Sequence, residues 1–524
     1  MRGAKLKLDL QETASLNSFA VPSTVDGSSD RQNIVGTIVA ATATYRRHIF
    51  ILFIFCSANL IIFLDRFRFH FYETEHLDQR RVMGAGIAIT RGAAGAISFC
   101  MAIVLLTVCR NIITVLRETP FGELIPFDSA IGFHKIVAFF AAFWATVHAI
   151  GHCVNFYHVA SQSKEGLHCL FQEAIVGSDF LPSISYWFYG TITGLTGILL
   201  VLVMSIIYVF ALPRFMRMAY HAFRLTHLLN VAFYGLTMLH GLPRLLGSPK
   251  FWNYVIGPII IFVIDQIMGM RQKYRKLNIL NADLLPSDII YLQFERPSSF
   301  DFRSGQWAAG PWTWKLRSEI LSSHADGSPY PLLHMAGPYG DGNQEWSSYE
   351  VAVMVGGGIG VTPYASTLTD LVLEITSARH HNVKCKKVYF LWICPTHKNY
   401  EWFVDVLKCV EELDQARVIE THIFVTQLFH KFDLRTTMLY ICEKHFRGDH
   451  QGKSMFTGLR AQNHFGRPNF DTFFSYLQSV HSEVPEIGVF SCGPSKLNDQ
   501  ISSSCARANR TLDSPSFMHR FETF

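Results

Sequence analysis

The sequence predicts a multi-domain membrane protein: an all-α bundle of six transmembrane helices, followed by a soluble α/β domain built on a parallel sheet. Three observations predict it. Six apolar stretches of bilayer-spanning length lie at 48–64, 82–108, 134–158, 187–211, 221–243 and 251–269. Arginine and lysine cluster in alternate connections between them. From about Leu277 the composition becomes that of a soluble domain, with short β-rich runs alternating with apolar helical patterns. Only 17% of the 524 residues are charged and 49% are hydrophobic, which excludes a disordered chain. A net charge of +5, scattered along the chain, gives no footprint for nucleic acid. Eleven cysteines without a CxxC pair argue against a disulfide scaffold or a zinc module.

Residues 1–45 are polar and lack an apolar core behind the first basic residues, so they read as a cytosolic tail rather than a signal peptide. Domain boundaries are expected at 46–270 for the membrane part, 271–345 for a first soluble segment and 346–524 for the α/β domain. Arg46 and Arg47 precede the first span, and Arg110 and Arg117 separate the second from the third. Arg214, Arg217 and Arg224 separate the fourth from the fifth, and Arg271, Lys273, Arg275 and Lys276 follow the sixth. With six crossings all four clusters face one side, which puts both termini in the cytosol. Strands are expected at 288–294, 351–355, 387–393, 421–427 and 487–492.

Four histidines inside the spans carry the chemistry. His134 and His148 lie 14 residues apart on the third span, within about 40° of one helix face and about 21 Å apart along its axis. His227 and His240 lie 13 apart on the fifth, about 220° apart on an ideal helix. That span therefore needs overwinding or a kink, and Gly235 lies between the two. Any one of these rings is explained as a satisfied interior residue. Four at near-matching spacing on two spans point to two haem groups stacked across the bilayer, each between two axial imidazoles. Arg91, inside the second span, either snorkels to the outer interface or, with His152 one turn beyond His148, forms a cationic site for an anion such as reduced dioxygen.

In the soluble part, Val351–Val355 runs into Gly356, Gly357, Gly358, Ile359, Gly360, Val361, Thr362 and Pro363. A strand, a glycine-rich turn and a helix start let backbone N–H groups approach a pyrophosphate, although a structural tight turn uses the same residues. Cys492, Gly493 and Pro494 end a later strand, where the ligand crevice of such sheets falls. Arg467 is a candidate for a 2′-phosphate or an ordinary surface arginine.

These residues match a known family. The chain from about Arg46 to Phe524 resembles the catalytic half of the NADPH oxidases, most closely the dual oxidases of animals. The resemblance rests on Arg91-Gly92, Cys109-Arg110-Asn111, Phe133-His134-Lys135, Thr226-His227 and His240-Gly241. It continues in Gly305-Gln306-Trp307, Gly337-Pro338-Tyr339-Gly340, the glycine run at 356–363, Lys431-Phe432-Asp433-Leu434-Arg435 and Cys492-Gly493-Pro494. It implies a haem domain joined to a ferredoxin-reductase-like module of β barrel and α/β nucleotide-binding domain, with two haem b groups, FAD and NADPH as cofactors. His134 with His227 would hold the inner haem and His148 with His240 the outer. Arg91 and His152 would face dioxygen reduction, Cys492 the nicotinamide and Phe524 the flavin ring. Gly305, Gln306 and Trp307 fall among the cofactor-binding positions. Electrons would pass from NADPH through FAD and both haems to dioxygen outside, giving superoxide or hydrogen peroxide. A plasma membrane location and a membrane maturation partner are also implied.

The chain departs from the family pattern in three places. The peroxidase-like domain, extra span and EF-hands that precede this region in a dual oxidase are not in the sequence, so a truncated form or fragment is expected. Trp307 is followed directly by Ala308-Ala309-Gly310-Pro311-Trp312, without the family's flavin-contacting His-Pro-Phe-Thr, so an incomplete barrel with open edges is expected. Pro395 stands where relatives often have Arg. Two other readings remain open: a catalytically silent haem protein that fails to load FAD, and a ferric reductase with the same two-haem layout.

Overall fold

The computed structural model describes residues 20–21 and 46–522, apart from 118, 164–165, 168–181, 243–249, 274–275, 286–288, 297–303, 306, 310–312, 335, 340–343, 377–382, 397–400, 428–433, 446–451, 456 and 512–513. Gln306 and Phe524 lie outside the described residues. The chain forms two compact units, one spanning Arg47–Met268 and the other containing Gly269–Phe524.

The membrane unit contains helices α1 (Arg46–Tyr72), α2 (Gly86–Leu106), α3 (Ala130–Ala160), α4 (Ile192–Ala211), α5 (Tyr220–His227) and α6 (Leu229–Gly241), and most of α7 (Phe251–Lys273). Five of these, α1, α2, α3, α4 and α7, are each long and apolar enough to cross a bilayer. The expected fifth span, 221–243, is instead two helices, α5 and α6, broken at Leu228. Leu228 N–H donates to Leu225 O and Val231 N–H to Leu228 O, both three residues back, so the chain is overwound at the break. The sequence placed the deformation near Gly235, but Gly235 lies within α6.

Small residues let α1, α2 and α3 approach closely. A Cβ at Gly92 would meet the Phe63 ring at 2.8 Å, and one at Gly151 would meet Thr90 Cγ2 at 2.5 Å. Several polar groups at membrane depth pair with one another, as the absence of water there favours. Trp144 Nε1–H donates to Asn59 Oδ1 (2.6 Å), and Asn59 Nδ2 donates to Cys100 Sγ (3.1 Å). Asp265 of α7 is buried and accepts the Ile112 N–H (2.9 Å) and Asn111 Nδ2 (3.3 Å). Its carboxylate thus caps the first turn of the amphipathic helix Arg110–Arg117.

The soluble unit begins with strands β1 (Lys276–Leu277), β2 (Ile279–Leu285), β3 (Ile289–Phe294), β4 (Trp307–Ala309), β5 (Leu333–His334) and β6 (Ala336–Tyr339). Among the described residues they pair only two by two: β1 with β5, β2 with β3 and β4 with β6. Helix α8 (Thr313–Asp326) packs Leu316 and Ile320 against Leu277, Ile279, Ala282 and Leu333. The expectation of open edges falls partly on residues 297–303, 310–312 and 340–343, which lie outside the described residues.

The rest is a doubly wound domain. Strands β7 (Val351–Gly357), β8 (Lys387–Cys394), β9 (Ile419–Val425), β10 (Gln462–Phe465), β11 (Glu486–Cys492) and β12 (Ser516–Glu522) form one parallel sheet in the order β10-β9-β8-β7-β11-β12. Helices α9 (Thr362–Thr376), α10 (Val404–Leu413), α11 (Leu434–His445), α12 (Phe470–Val480) and α13 (Ser495–Ala508) complete it. One core gathers Trp346, Tyr364, Phe390 and Phe403, and the other Tyr389, Phe424, Phe474 and Phe517. Side chains of alternate strand residues enter opposite cores, as the period of two requires.

Candidate haem and nucleotide sites

Helix α3 is continuous from Ala130 to Ala160, so the 14-residue spacing of His134 and His148 puts both rings on one face at two depths. The break at Leu228 gives His227 and His240 separate helices, which removes the 220° conflict of an unbroken one. The rings meet in two pairs. His134 and His227 have ring centres 6.4 Å apart, and His148 and His240 have theirs 6.2 Å apart. An ion held linearly between two imidazoles at metal–nitrogen distances of about 2.0–2.1 Å needs ring centres about 6.3 Å apart. Both pairs meet that requirement.

Neighbouring groups fix the tautomers. Thr90 O can only accept, so His148 Nδ1 carries the proton (3.0 Å) and Nε2 keeps its lone pair. Thr107 Oγ1 gives its own proton to Val104 O (2.7 Å) and so accepts from His134 Nδ1 (2.9 Å). Thr196 Oγ1 donates to Ile192 O (2.6 Å) and accepts from His240 Nδ1 (3.0 Å) in the same way. Three of the four rings therefore present an unprotonated Nε2, the ligand form, with Nδ1–H held as metal-ligating histidines commonly hold it. His227 Nδ1 is buried without a partner. Gly197 of α4 makes room for the outer pair: a Cβ there would lie 3.3 Å from His240 Cε1.

Arg91 follows Thr90 directly, so its backbone adjoins the outer pair, and the His152 ring centre lies 4.5 Å from that of His148. Arg91 Nε and His152 Nδ1 are both buried without a hydrogen-bonding partner. The structure thus brings Arg91 and His152 together with the outer histidines. The three threonines were not singled out from the sequence. For Thr107 and Thr196 the signal, a hydroxyl inside an apolar span, is too common in membrane helices to identify them without coordinates; Thr90 acts through its main-chain carbonyl, which has no side-chain signal.

In the soluble unit the sheet order places the ligand crevice. The chain runs outward from β7 through β8 and β9 to β10, then returns to the other side of β7 with β11 and β12. The switch point lies between the C-terminal ends of β7 and β11, where open α/β sheets bind ligands. Gly356 and Gly357 end β7, and Cys492 ends β11 opposite Gly356. Gly358 turns with φ +59° and opens a short 3₁₀ turn, Gly358–Val361, from which α9 starts at Thr362 and Pro363. Pro363 suits this first helical turn, because its missing N–H is one the helix cannot use. The two edges touch. A Cβ at Gly357 would meet Leu497 Cδ2 at 2.6 Å and Pro494 Cδ at 3.2 Å, and one at Gly493 would meet the Gly357 Cα at 3.3 Å.

Burial, and secondarily the Glu522 carboxylate, pushes the Cys492 thiol up to about 12, so it is a neutral group at the crevice edge. Arg467 is exposed just past β10, at the same sheet edge but three strands from β7, about 14 Å away at the usual strand spacing. Its backbone pairs with Val21. Gly305, with φ +79°, donates its N–H to Ser366 Oγ on α9 (2.9 Å), and Trp307 starts β4.

Two family models match the chain. The ferric reductase like transmembrane component covers residues 92–238, and the ferric reductase NAD binding domain covers 349–506. Dual oxidase 1 of Caenorhabditis elegans is 64% identical over 98% of this chain and 36% of its own length. Dual oxidase of Drosophila melanogaster is 48% identical over 91% of this chain and 33% of its own, and human dual oxidase 2 is 41% identical over 92% and 33%. The chain thus spans about a third of the length of these relatives. The alignments run over 547, 511 and 515 positions against 98%, 91% and 92% of 524 residues, so each relative carries roughly thirty residues that this chain lacks. Both family models and these relatives agree: the chain is an integral membrane protein with a component of ferric-reductase type followed by an NAD-binding reductase domain, and over nearly its whole length it is similar to about a third of these dual oxidases.

Proposed function

We propose that the chain is a transmembrane NADPH oxidase, moving electrons from cytosolic NADPH across the membrane to dioxygen and giving superoxide or hydrogen peroxide. The observation that carries this reading is the pair of imidazole sandwiches at two depths, with ring centres 6.4 and 6.2 Å apart. His134 with His227 would hold an inner haem b and His148 with His240 an outer one. Bound there, haem supplies one-electron carriers inside the bilayer. Thr107, Thr90 and Thr196 hold the Nδ1 protons and aim the rings. Arg91 and His152 offer unpaired donors where negative charge develops on dioxygen.

In the crevice, the N–H groups of the 358–361 turn and the start of α9 receive the NADPH pyrophosphate. Gly356 and Gly357 let it approach, Cys492, Gly493 and Pro494 border the nicotinamide, and Arg467 receives the 2′-phosphate. A neutral Cys492 places no anion beside the departing hydride. NADPH gives two electrons and haem takes one, so an intermediate carrier is required, and FAD is that carrier in the family. No His-Pro-Phe-Thr, the family's flavin-contacting motif, occurs in the sequence, and among the described residues the strands of 276–339 pair in three separate ladders. Positive flanks at 46–47, 110–117, 214–224 and 271–276 favour cytosolic termini. A plasma membrane location and a membrane maturation partner complete the reading.

The test is vectorial. Sealed vesicles with the cytosolic face outward receive NADPH and FAD outside, and superoxide and peroxide are assayed in the lumen. Lumenal oxidant is expected, and its loss in His148→Leu is expected with NADP⁺ binding retained. Oxidant formed only on the NADPH side would overturn the proposal.

A further inference from the structure

Behind the crevice lies a buried polar chain that neither the histidine pairs nor the glycine turn uses. Asn498 of α13 is buried, and its Nδ2 donates to Gly493 O (3.2 Å) and to Glu522 O (3.0 Å). Two carbonyls can only accept, so the amide orientation is fixed and Oδ1 points away from them. Ser491 Oγ–H donates to that Oδ1 (2.8 Å). With its proton committed, Ser491 Oγ accepts from His519 Nε2–H (2.7 Å). His519 Nδ1 then keeps its lone pair and accepts from Ser502 Oγ–H (2.7 Å). The direction of every proton follows from the two backbone carbonyls at one end. It requires a neutral His519, in keeping with its burial and the Arg520 beside it.

Gly493 belongs to the crevice turn beside Gly357, and Glu522 ends β12, two residues before the C-terminal aromatic. Gly493 N–H also donates to Glu522 O (3.3 Å). We propose that Asn498 is a positioning residue, whose amide latches the Cys492-Gly493-Pro494 turn to the C-terminal strand, and that Ser491, His519 and Ser502 hold that amide in the donating orientation. The proposal rests on reading this crevice as the NADPH site. Asn498 touches no ligand itself. It sets the distance between the nicotinamide edge and the strand that delivers the C-terminus.

The full chain in nanodiscs serves for the test, with NADP⁺ as probe. Asn498→Asp keeps the shape but points a carboxylate oxygen at two carbonyls. The NADP⁺ dissociation constant is expected to rise about tenfold or more, and amide exchange at 491–494 and 516–522 to accelerate. The dithionite-reduced haem spectrum is expected to stay unchanged. His519→Gln restores a neutral donor and acceptor and is expected to bind within a few-fold of the parent, whereas His519→Leu, which can do neither, is expected to follow Asn498→Asp. Unchanged affinity and exchange in Asn498→Asp would overturn the latch. If that variant does not fold, equal NADP⁺ affinity in the two His519 variants overturns it and a difference supports it. A parent chain that binds no NADP⁺ defeats the function reading instead, and the exchange rates then decide the latch alone.

Discussion

His148 shows how much of the outer site one residue fixes. Its Nδ1–H is committed to Thr90 O, so only Nε2 faces His240. His148→Leu is expected to remove the outer haem and leave the inner one, halving the haem-to-protein ratio in an extracted-haem assay. Gly197→Leu tests the same site without touching a ligand. Its side chain would extend past a Cβ already 3.3 Å from His240 Cε1, and outer haem is again expected to fall by at least half. In the soluble unit, Gly357→Val would drive a Cβ to 2.6 Å from Leu497 Cδ2 and push the two crevice edges apart. A loss of NADP⁺ affinity of about tenfold or more is expected by calorimetry. The histidines were legible in the sequence, because four polar rings in apolar spans stand out. The threonines that fix their tautomers were not.

At the scale of elements, the capping of Arg110–Arg117 by Asp265 makes a separate prediction. Asp265→Ala would leave the half-buried Ile112 N–H without its acceptor, while Asn111 Nδ2 keeps Asp265 O (3.0 Å), at a cost of about 1–3 kcal/mol. A lower thermal midpoint with both haems retained is expected. The long apolar helices were legible, since length and composition alone identify a span. The break at Leu228 was only half legible. Arithmetic on a spacing of 13 demanded a deformation, but its place depends on hydrogen bonds three residues back at Leu228 and Val231. The strands expected at 351–355, 387–393, 421–427 and 487–492 lie within two residues of β7, β8, β9 and β11 at each end, and the run expected at 288–294 matches β3 to within one; β2 was not anticipated. Gln462–Phe465 and Ser516–Glu522 were missed because they occupy the two outer places of the sheet, where burial is one-sided and the apolar run is weak.

For the whole molecule, acid stability follows from buried titratable groups of the soluble unit. Burial, with Arg520 nearby, lowers His519 from 6.5 to about 3. Between those values the unfolded chain binds a proton that the folded chain refuses, so this contribution is complete above pH 6.5 and lost as pH falls toward 3. Glu420 lies lower still, at about 2: burial opposes its charge, but His422 and Lys387 outweigh that. Its contribution is present above pH 4.5 and lost toward pH 2. His519→Gln is therefore expected to flatten the fall in thermal midpoint from pH 6.5 down to about 3 and to leave the Glu420 contribution below pH 4.5. Composition changes sharply near Leu277, close to where the second compact unit resumes at Gly269. The missing His-Pro-Phe-Thr is read from the sequence alone.

The central claim, that two haem sites in this chain accept electrons originating in NADPH, is tested most directly by an anaerobic difference spectrum of membranes containing the chain. NADPH is added with excess FAD, then dithionite. A bis-histidine b-type spectrum that NADPH develops and dithionite only completes is the expected result. A spectrum that appears with dithionite alone would contradict electron entry from NADPH, and the lack of any haem spectrum would contradict the paired histidines themselves.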